Sequence, residues 1–226
     1  MALTFGQMVD QILMETNRTG NAIFTTEVQN AVVSAIKELE TEELFLNQKF
    51  VVLPIDPFQF IIPLPEDFVS VLLMNLVDQD HNSIYTAATG FKETTMFELE
   101  TYRNQFNGQF GQVQGLPGYW ALYENSIHMY PAASNDGHFL NLFYYYRDGS
   151  YPANYTEPGQ GSYNATSIWL GDFTQDVTRY TARGIFYRDS LQSPELAASD
   201  MQKAQDALSR LKIRNSQREN LNNMSY

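Results

Sequence analysis

The hydrophobic period of this chain changes twice. Up to Leu46 the apolar side chains recur at three and four residues, the spacing of an amphipathic helix. From Phe50 to about Arg147 they alternate or run in short blocks bounded by Pro, Asp, Asn and Gly, the pattern of strands and turns. After Ser167 helical spacing returns. Neither terminal segment is apolar enough all round to fold alone, so each needs the other. The order predicts an α+β protein: a helical bundle built from both chain ends, with an antiparallel β domain inserted between them. The expected boundaries are 1–48 and 166–215 for the helical domain, 49–165 for the β-rich domain and 216–226 for a C-terminal extension.

The local signals place the elements. Thr4 is the expected N-cap of a helix to Glu15, with Phe5, Met8 and Ile12 on one stripe. A second helix is expected from Thr25 or Thr26, carrying Val28, Val32, Leu39 and Leu46, with Glu38, Glu40, Glu42 and Glu43 on a solvated face. Phe50–Leu53 and Phe58–Ile62 read as two short strands joined by an Asp-Pro turn. Val69–Val77 reads as a strand, Asp78–Asn82 as its turn and Ser83–Ala88 as a strand pairing back. Thr94–Tyr102 reads as a short helix and 104–118 as an exposed Gly- and Gln-rich loop. Tyr119–Tyr130 reads as a hairpin, His138–Arg147 as a strand and 148–165 as a long polar loop. Phe173, Val177, Tyr180, Gly184, Tyr187 and Leu191 form a helical stripe, and Gly184 in it marks a close helix crossing. Ser193-Pro194-Glu195 starts a last helix, with Leu196, Met201, Ala204, Leu208 and Leu211 on its apolar face. The chain turns polar from Ile213, and Arg218–Tyr226 reads as a free tail.

Composition removes whole classes of chemistry. The 226 residues contain no cysteine and three histidines, at 81, 128 and 138. Disulfides, thiol nucleophiles and cysteine or histidine zinc sites are therefore excluded or disfavoured. Gly108-Gln109-Phe110-Gly111 lacks the lysine of a phosphate loop. Asp78, Asp80 and Asn82 match the start of a calcium loop, but Ser83 and Thr89 stand where glycine and glutamate are required, so a plain turn is expected. No catalytic residue, cofactor or metal is expected, and the protein is read as not an enzyme. No run approaches the ~18 apolar residues of a membrane span, and the N-terminal residues do not read as a secretory signal.

The formal net charge is −12, which disfavours attraction to DNA phosphates. The charge is uneven: 4 basic and 15 acidic residues over 1–100, but 8 basic and 5 acidic over 179–226. Two surfaces with two partners are one reading; a solvated helix face at each end is the other. The tyrosines at 144–146, 151, 155 and 163 surround the long loop. They read either as an interface or sugar-stacking platform, or as the rim of a sheet rich in β-formers.

Four stretches resemble a known family. They are the opening helices Phe5–Glu15 and Thr26–Leu46; the kink Leu64-Pro65-Glu66-Asp67-Phe68 ahead of an apolar strand; the hairpin Pro117, Tyr119, Leu122, Ile127 and Pro131; and Ser167-Ile168-Trp169-Leu170 leading into the closing helices. In this order they resemble the head-to-tail adaptors of short-tailed bacteriophages, similar to tail tubular protein A. The resemblance implies a non-enzymatic virion protein made in the host cytoplasm and forming a dodecameric ring between portal and tail nozzle. DNA would pass through it without specific binding, and tail fibres are a further candidate partner. The segment expected to dock on the portal carries Arg210, Lys212, Arg214, Arg218, Leu221, Met224 and Tyr226. Tyr151, Tyr155 and Tyr163 are expected to face the nozzle or a neighbouring copy. The loops 104–116 and 148–165 have no counterpart in that family. The alternative function is a carbohydrate- or receptor-binding tail appendage using the tyrosine-rich β region.

Overall fold

Thr4 opens the first helix through both halves of a capping box. Its hydroxyl accepts from Gln7 N at 3.3 Å and its own N–H donates to Gln7 Oε1 at 2.9 Å. A computed structural model describes residues 2–85, 90–110, 114–134, 137–148 and 163–223. In chain order the elements are α1 (Phe5–Glu15), α2 (Ala22–Leu39), β1 (Gln48–Ile55), β2 (Ile61–Pro63), β3 (Phe68–Val77), β4 (Lys92–Glu93) and α3 (Met96–Phe110). There follow β5 (Gln114–Gly115), β6 (Tyr119–Tyr123), β7 (Ser126–Tyr130), β8 (Ala132–Ala133), β9 (His138–Tyr146), α4 (Gln175–Asp189) and α5 (Pro194–Asn223). The fold class is α+β. The chain divides into a helical unit, 1–47 with 147–226, and a β unit, 48–146.

In the helical unit, α2 begins three residues before the expected threonines. Asn21 Oδ1 accepts from the N–H groups of Ile23 and Phe24, while Thr25 and Thr26 turn their hydroxyls back onto the carbonyls of Asn21 and Ala22. The first turn faces water, with Ile23 69% exposed, so it carries no apolar stripe to read. At the other end α2 stops at Leu39, short of Leu46. Asn47 Oδ1 accepts from Leu44 N and its amide donates to the Glu42 carbonyl, which fixes a 3-10 turn over Phe45–Asn47.

Helix α4 packs against both α2 and α5, so it buries more than one stripe. Val177, Thr178, Thr181, Ala182, Ile185 and Phe186 are inside. The buried Thr178 hydroxyl donates to the Trp169 carbonyl at 2.6 Å, which satisfies it. The close crossing expected at Gly184 is present: a Cβ there would sit 2.9 Å from Met201 Cγ of α5. Met8, Ile12, Ile36, Trp169 and Phe186 are at most 2% exposed. Each such side chain contributes about 1.5–3 kcal/mol by leaving water.

The β unit differs from the expected hairpin at its start. β1 pairs with β9, from Gln48↔Tyr145 to Ile55↔His138, and β2 pairs with β7. The chain crosses from one sheet to the other at Asp56–Phe60, where Phe58 adopts φ 65. An apolar block marks a strand without naming its neighbour, so the turn residues were compatible with either pairing. The sheets run β1-β9-β3 and β2-β7-β6-β4, with β5-β8 as a separate short pair. After β3, Ser83 makes a single bridge to Val77; residues 86–89 lie outside the described ones. Helix α3 continues to Phe110, well into the stretch read as a loop. Its start is the expected threonine cap: Thr95 Oγ1 accepts from Glu98 N at 3.2 Å and Glu98 Oε2 accepts from Thr95 N at 3.3 Å. α3 lies on β6 and β7, with Leu99 fully buried and Arg103, just past the expected end, donating to the Met129 carbonyl at 3.3 Å.

Candidate interaction surfaces

The distinctive sequence landmarks hold the fold together. In the Leu64–Phe68 kink, Asp67 accepts from the Tyr144 hydroxyl at 2.8 Å and pairs with Lys49 Nζ at 2.5 Å. Phe68 stacks on Tyr144 with centroids 5.8 Å apart. Burial, and then the bond to Asp67, push the Tyr144 phenol well above its ordinary pKa. In the hairpin, Tyr119 pairs with Tyr130 and Tyr123 with Ser126 around a two-residue turn, with Glu124 at φ 52. Tyr85 donates its hydroxyl to the Pro117 carbonyl. Ser167 Oγ accepts from Trp169 N at 3.2 Å, and Trp169 is fully buried. Ile168 N donates to Asp148 Oδ2 at 3.1 Å, and Asp148 N to Glu40 Oε1 at 2.8 Å. These bonds tie the end of α2 to the approach to α4.

The tyrosine cluster separates into different roles. Tyr144 and Tyr145 are 1% and 7% exposed, so they belong to the sheet's packing and form no platform. Tyr151 and Tyr155 lie outside the described residues. Tyr163 rests on the chain's own first helix. Its ring lies over Gly6, its hydroxyl donates to Asp10 at 2.7 Å, and its carbonyl accepts from Gly6 N at 2.9 Å. With Ala165 accepting from Phe5 N at 2.8 Å, the segment satisfies N–H groups that a helix start leaves open.

The basic segment is placed on α5. Arg210, Lys212 and Arg214 are exposed. Lys212 is balanced by Glu42 at 2.6 Å, and the Arg214 guanidinium lies 5.8 Å over the ring of Phe173. Because α5 continues to Asn223, Arg218 and Leu221 sit in helix and not in a free tail. Polar residues keep the helical period without advertising it, and the sequence shows no breaker there. Met224 and Tyr226 lie outside the described residues. Sequence reasoning missed Phe173. It is 62% exposed, although spacing had put it on a buried stripe. The available signal was Thr174 in the N-cap position directly after it.

The acidic turn read as a possible calcium loop has a local role. Asp78 Oδ1 accepts from Asp80 N and Asn82 N, each at 2.9 Å, which makes 78–82 an Asx-type turn. Among the described residues, no group of three His, Asp or Glu is placed to hold a metal ion, and no helix is long and apolar enough to cross a membrane. His128 is buried on β7 with Tyr123 edge-on at 5.8 Å. Burial, and then the nearby Arg103 charge, lower its pKa.

Apolar and aromatic side chains stand open on both units. On the β unit, Phe50, Phe143 and Leu73 form one cross-strand row of the β1-β9-β3 sheet, 47%, 37% and 57% exposed. On the helical unit Phe173 and Arg214 are exposed together. Such surfaces are candidate contacts with other proteins. The profile of the SU10 adaptor protein family matches residues 3–225, nearly the whole chain, and the chain belongs to that family. It is a structural adaptor of a bacteriophage, a virion component that interacts with other virion proteins. No curated protein matches the sequence.

Proposed function

We propose that the protein forms a closed ring, a dodecamer, between the portal and the tail nozzle, and that this ring extends the DNA channel. The observation that carries this reading is the family match over residues 3–225. The helical unit assembled from both chain ends gives each copy a rigid body for packing against neighbours and the portal. The β unit faces the nozzle, with fibres as further partners. The acidic balance supports a conduit: a channel for DNA should repel phosphate, and residues 1–100 carry net −11. Its part is structural and non-enzymatic. The basic end of the chain, from Arg210 to Tyr226, docks on the portal, and repetition around the ring supplies avidity.

Negative-stain imaging of the purified full chain, alone and with isolated portal, tests the reading. Twelve-fold rings that cap the portal support it. A trimer that leaves the portal bare supports a tail appendage instead.

A further inference from the structure

Phe173 and Arg214 lie at one end of the helical unit, and their surroundings set the chemistry of what binds there. Helices α4 and α5 run antiparallel: Gly184 meets Met201, and Phe173 meets Arg214. So α5 draws level with the start of α4 at Arg214. Its remaining turns, to Asn223, run ~13 Å further at 1.5 Å per residue. Positions 210, 214 and 218 are four apart and share one face of the helix. Lys212 is on another face and already has Glu42. Among the described residues, neither Arg210 nor Arg214 forms an ion pair. Ile213, 57% exposed, adds apolar area beside them.

Arginine and exposed aromatic side chains together are the composition that dominates binding energy at protein interfaces. A guanidinium lying on a ring is weakly hydrated and gives up water readily. The stripe calls for carboxylates or phosphates. The whole chain carries −12, so a DNA duplex, with one phosphate charge per ~1.7 Å of its axis, meets more long-range repulsion than a protein surface whose carboxylates are gathered in one groove.

We propose that Phe173, Arg210 and Arg214 form one docking patch, and that it seats in an acidic, helix-wide groove of the portal. This rests on the portal reading above and adds to it the anchor residue Phe173 and the charge of the partner surface.

The test measures binding of the full chain to isolated portal at about 50 and about 300 mM salt, between which the Debye length falls from ~14 to ~6 Å. Three proteins are compared: wild type, Arg210→Glu/Arg214→Glu and Phe173→Ser. Circular dichroism and sedimentation report folding and self-association, and a labelled DNA duplex titrated at both salts reports duplex binding. The expected result is that wild type weakens as salt rises. The double reversal loses about tenfold or more at low salt and most of its salt dependence. Phe173→Ser loses several-fold at both salts, and neither variant changes its self-association. If the reversal destabilises the helix, Arg210→Gln/Arg214→Gln is read instead, with a smaller loss in the same direction. Wild-type affinity in the charge variants overturns the patch and leaves the portal reading standing. Loss of self-association with portal binding intact overturns it in favour of a contact between copies. Loss of duplex binding alone overturns it in favour of DNA. A wild type that does not bind the portal overturns both readings.

Discussion

The Arg183 guanidinium of α4 lies 2.5 Å from the Glu15 carboxylate of α1. The same guanidinium is 2.9 Å from Asp200 of α5, a contact at ion-pair distance without hydrogen-bond alignment. Arg179 joins Glu15 at 3.3 Å and Lys203 joins Asp200 at 2.9 Å, while the Tyr180 ring sits beneath Arg179 at 4.8 Å. Three helices thus share one half-buried charge network. Burial opposes the charge on Arg183, but the bond to Glu15 and the Asp200 charge outweigh it and raise its pKa. Asp200 is 2% exposed, so losing Arg183 leaves its carboxylate in the interior with only the half-exposed Lys203 to balance it. Arg183→Ala is expected to destabilise the helical unit by about 1–3 kcal/mol, because Lys203 and Arg179 compensate the two carboxylates only in part. Replacing Glu15, Arg183 and Asp200 together by apolar residues is expected to cost much less. Urea unfolding followed by far-UV circular dichroism checks both.

In the β unit, Asp67 is the counterpart. It is the acceptor for the nearly buried Tyr144 hydroxyl. Asp67→Ala leaves that hydroxyl without this partner and is expected to cost about 1–3 kcal/mol. Tyr144→Phe in the same background should recover part of the loss, since it removes the stranded donor. The Lys49 pair contributes little, because Lys49 is half exposed. A double-mutant cycle of Asp67 and Tyr144, read by urea midpoint, gives the coupling; additivity would remove Asp67 from this role.

What the sequence made legible follows from where the signals come from. Thr4, Ser193 and Thr95 announce helix starts because caps act locally, and all three lie at helix starts in the structure. The Gly184 crossing was legible because glycine in a helix needs a reason. Pairing was not legible: Phe50 and Ile61 each sit in an apolar block, yet belong to different sheets. Nor was the exposure of Phe173, since spacing fixes a stripe but not which neighbours cover it. At the proposed site the basic residues were visible as composition. Their continuation on one rigid helix was not, because polar helical turns lack an apolar period.

Gly184 gives a graded test of the α4–α5 contact. Alanine gains up to ~1 kcal/mol of helix propensity, but its Cβ would come 2.9 Å from Met201 Cγ, so the methionine must shift from Cγ outward, which offsets much of the gain. Gly184→Ala is therefore expected to be near neutral. Gly184→Leu cannot be accommodated by that motion and is expected to cost about 1–3 kcal/mol, as overpacking does. Met201→Ala should relieve the leucine variant. Thermal unfolding of the four proteins checks it, and an unaffected Gly184→Leu would mean that the helices do not approach here.

His128 supplies a pH dependence whose sign can be worked out. Its pKa in the folded chain lies below the ordinary value of 6.5, because burial disfavours the imidazolium and Arg103 repels it. The unfolded chain therefore takes up the proton first as pH falls. Wherever the unfolded state binds more protons, stability rises with pH. The contribution of His128 is thus complete above pH ~7, and is lost progressively as pH falls below the ordinary histidine value towards the folded one. Carboxylates titrate lower and add their own slope, so the useful quantity is a difference. Among the described residues Nδ1 of His128 has no hydrogen-bond partner, and the ring packs on Tyr123, so His128→Phe removes the titration while keeping an aromatic ring in place. The urea midpoint of the wild type should fall more steeply between pH 7.5 and 5.5, a window set around the ordinary histidine value, than that of His128→Phe. The imidazole Cε1–H resonance should report a pKa below 6.5. Parallel slopes in the two proteins, or a resonance titrating at or above that value, would show that the ring is not held neutral by its surroundings.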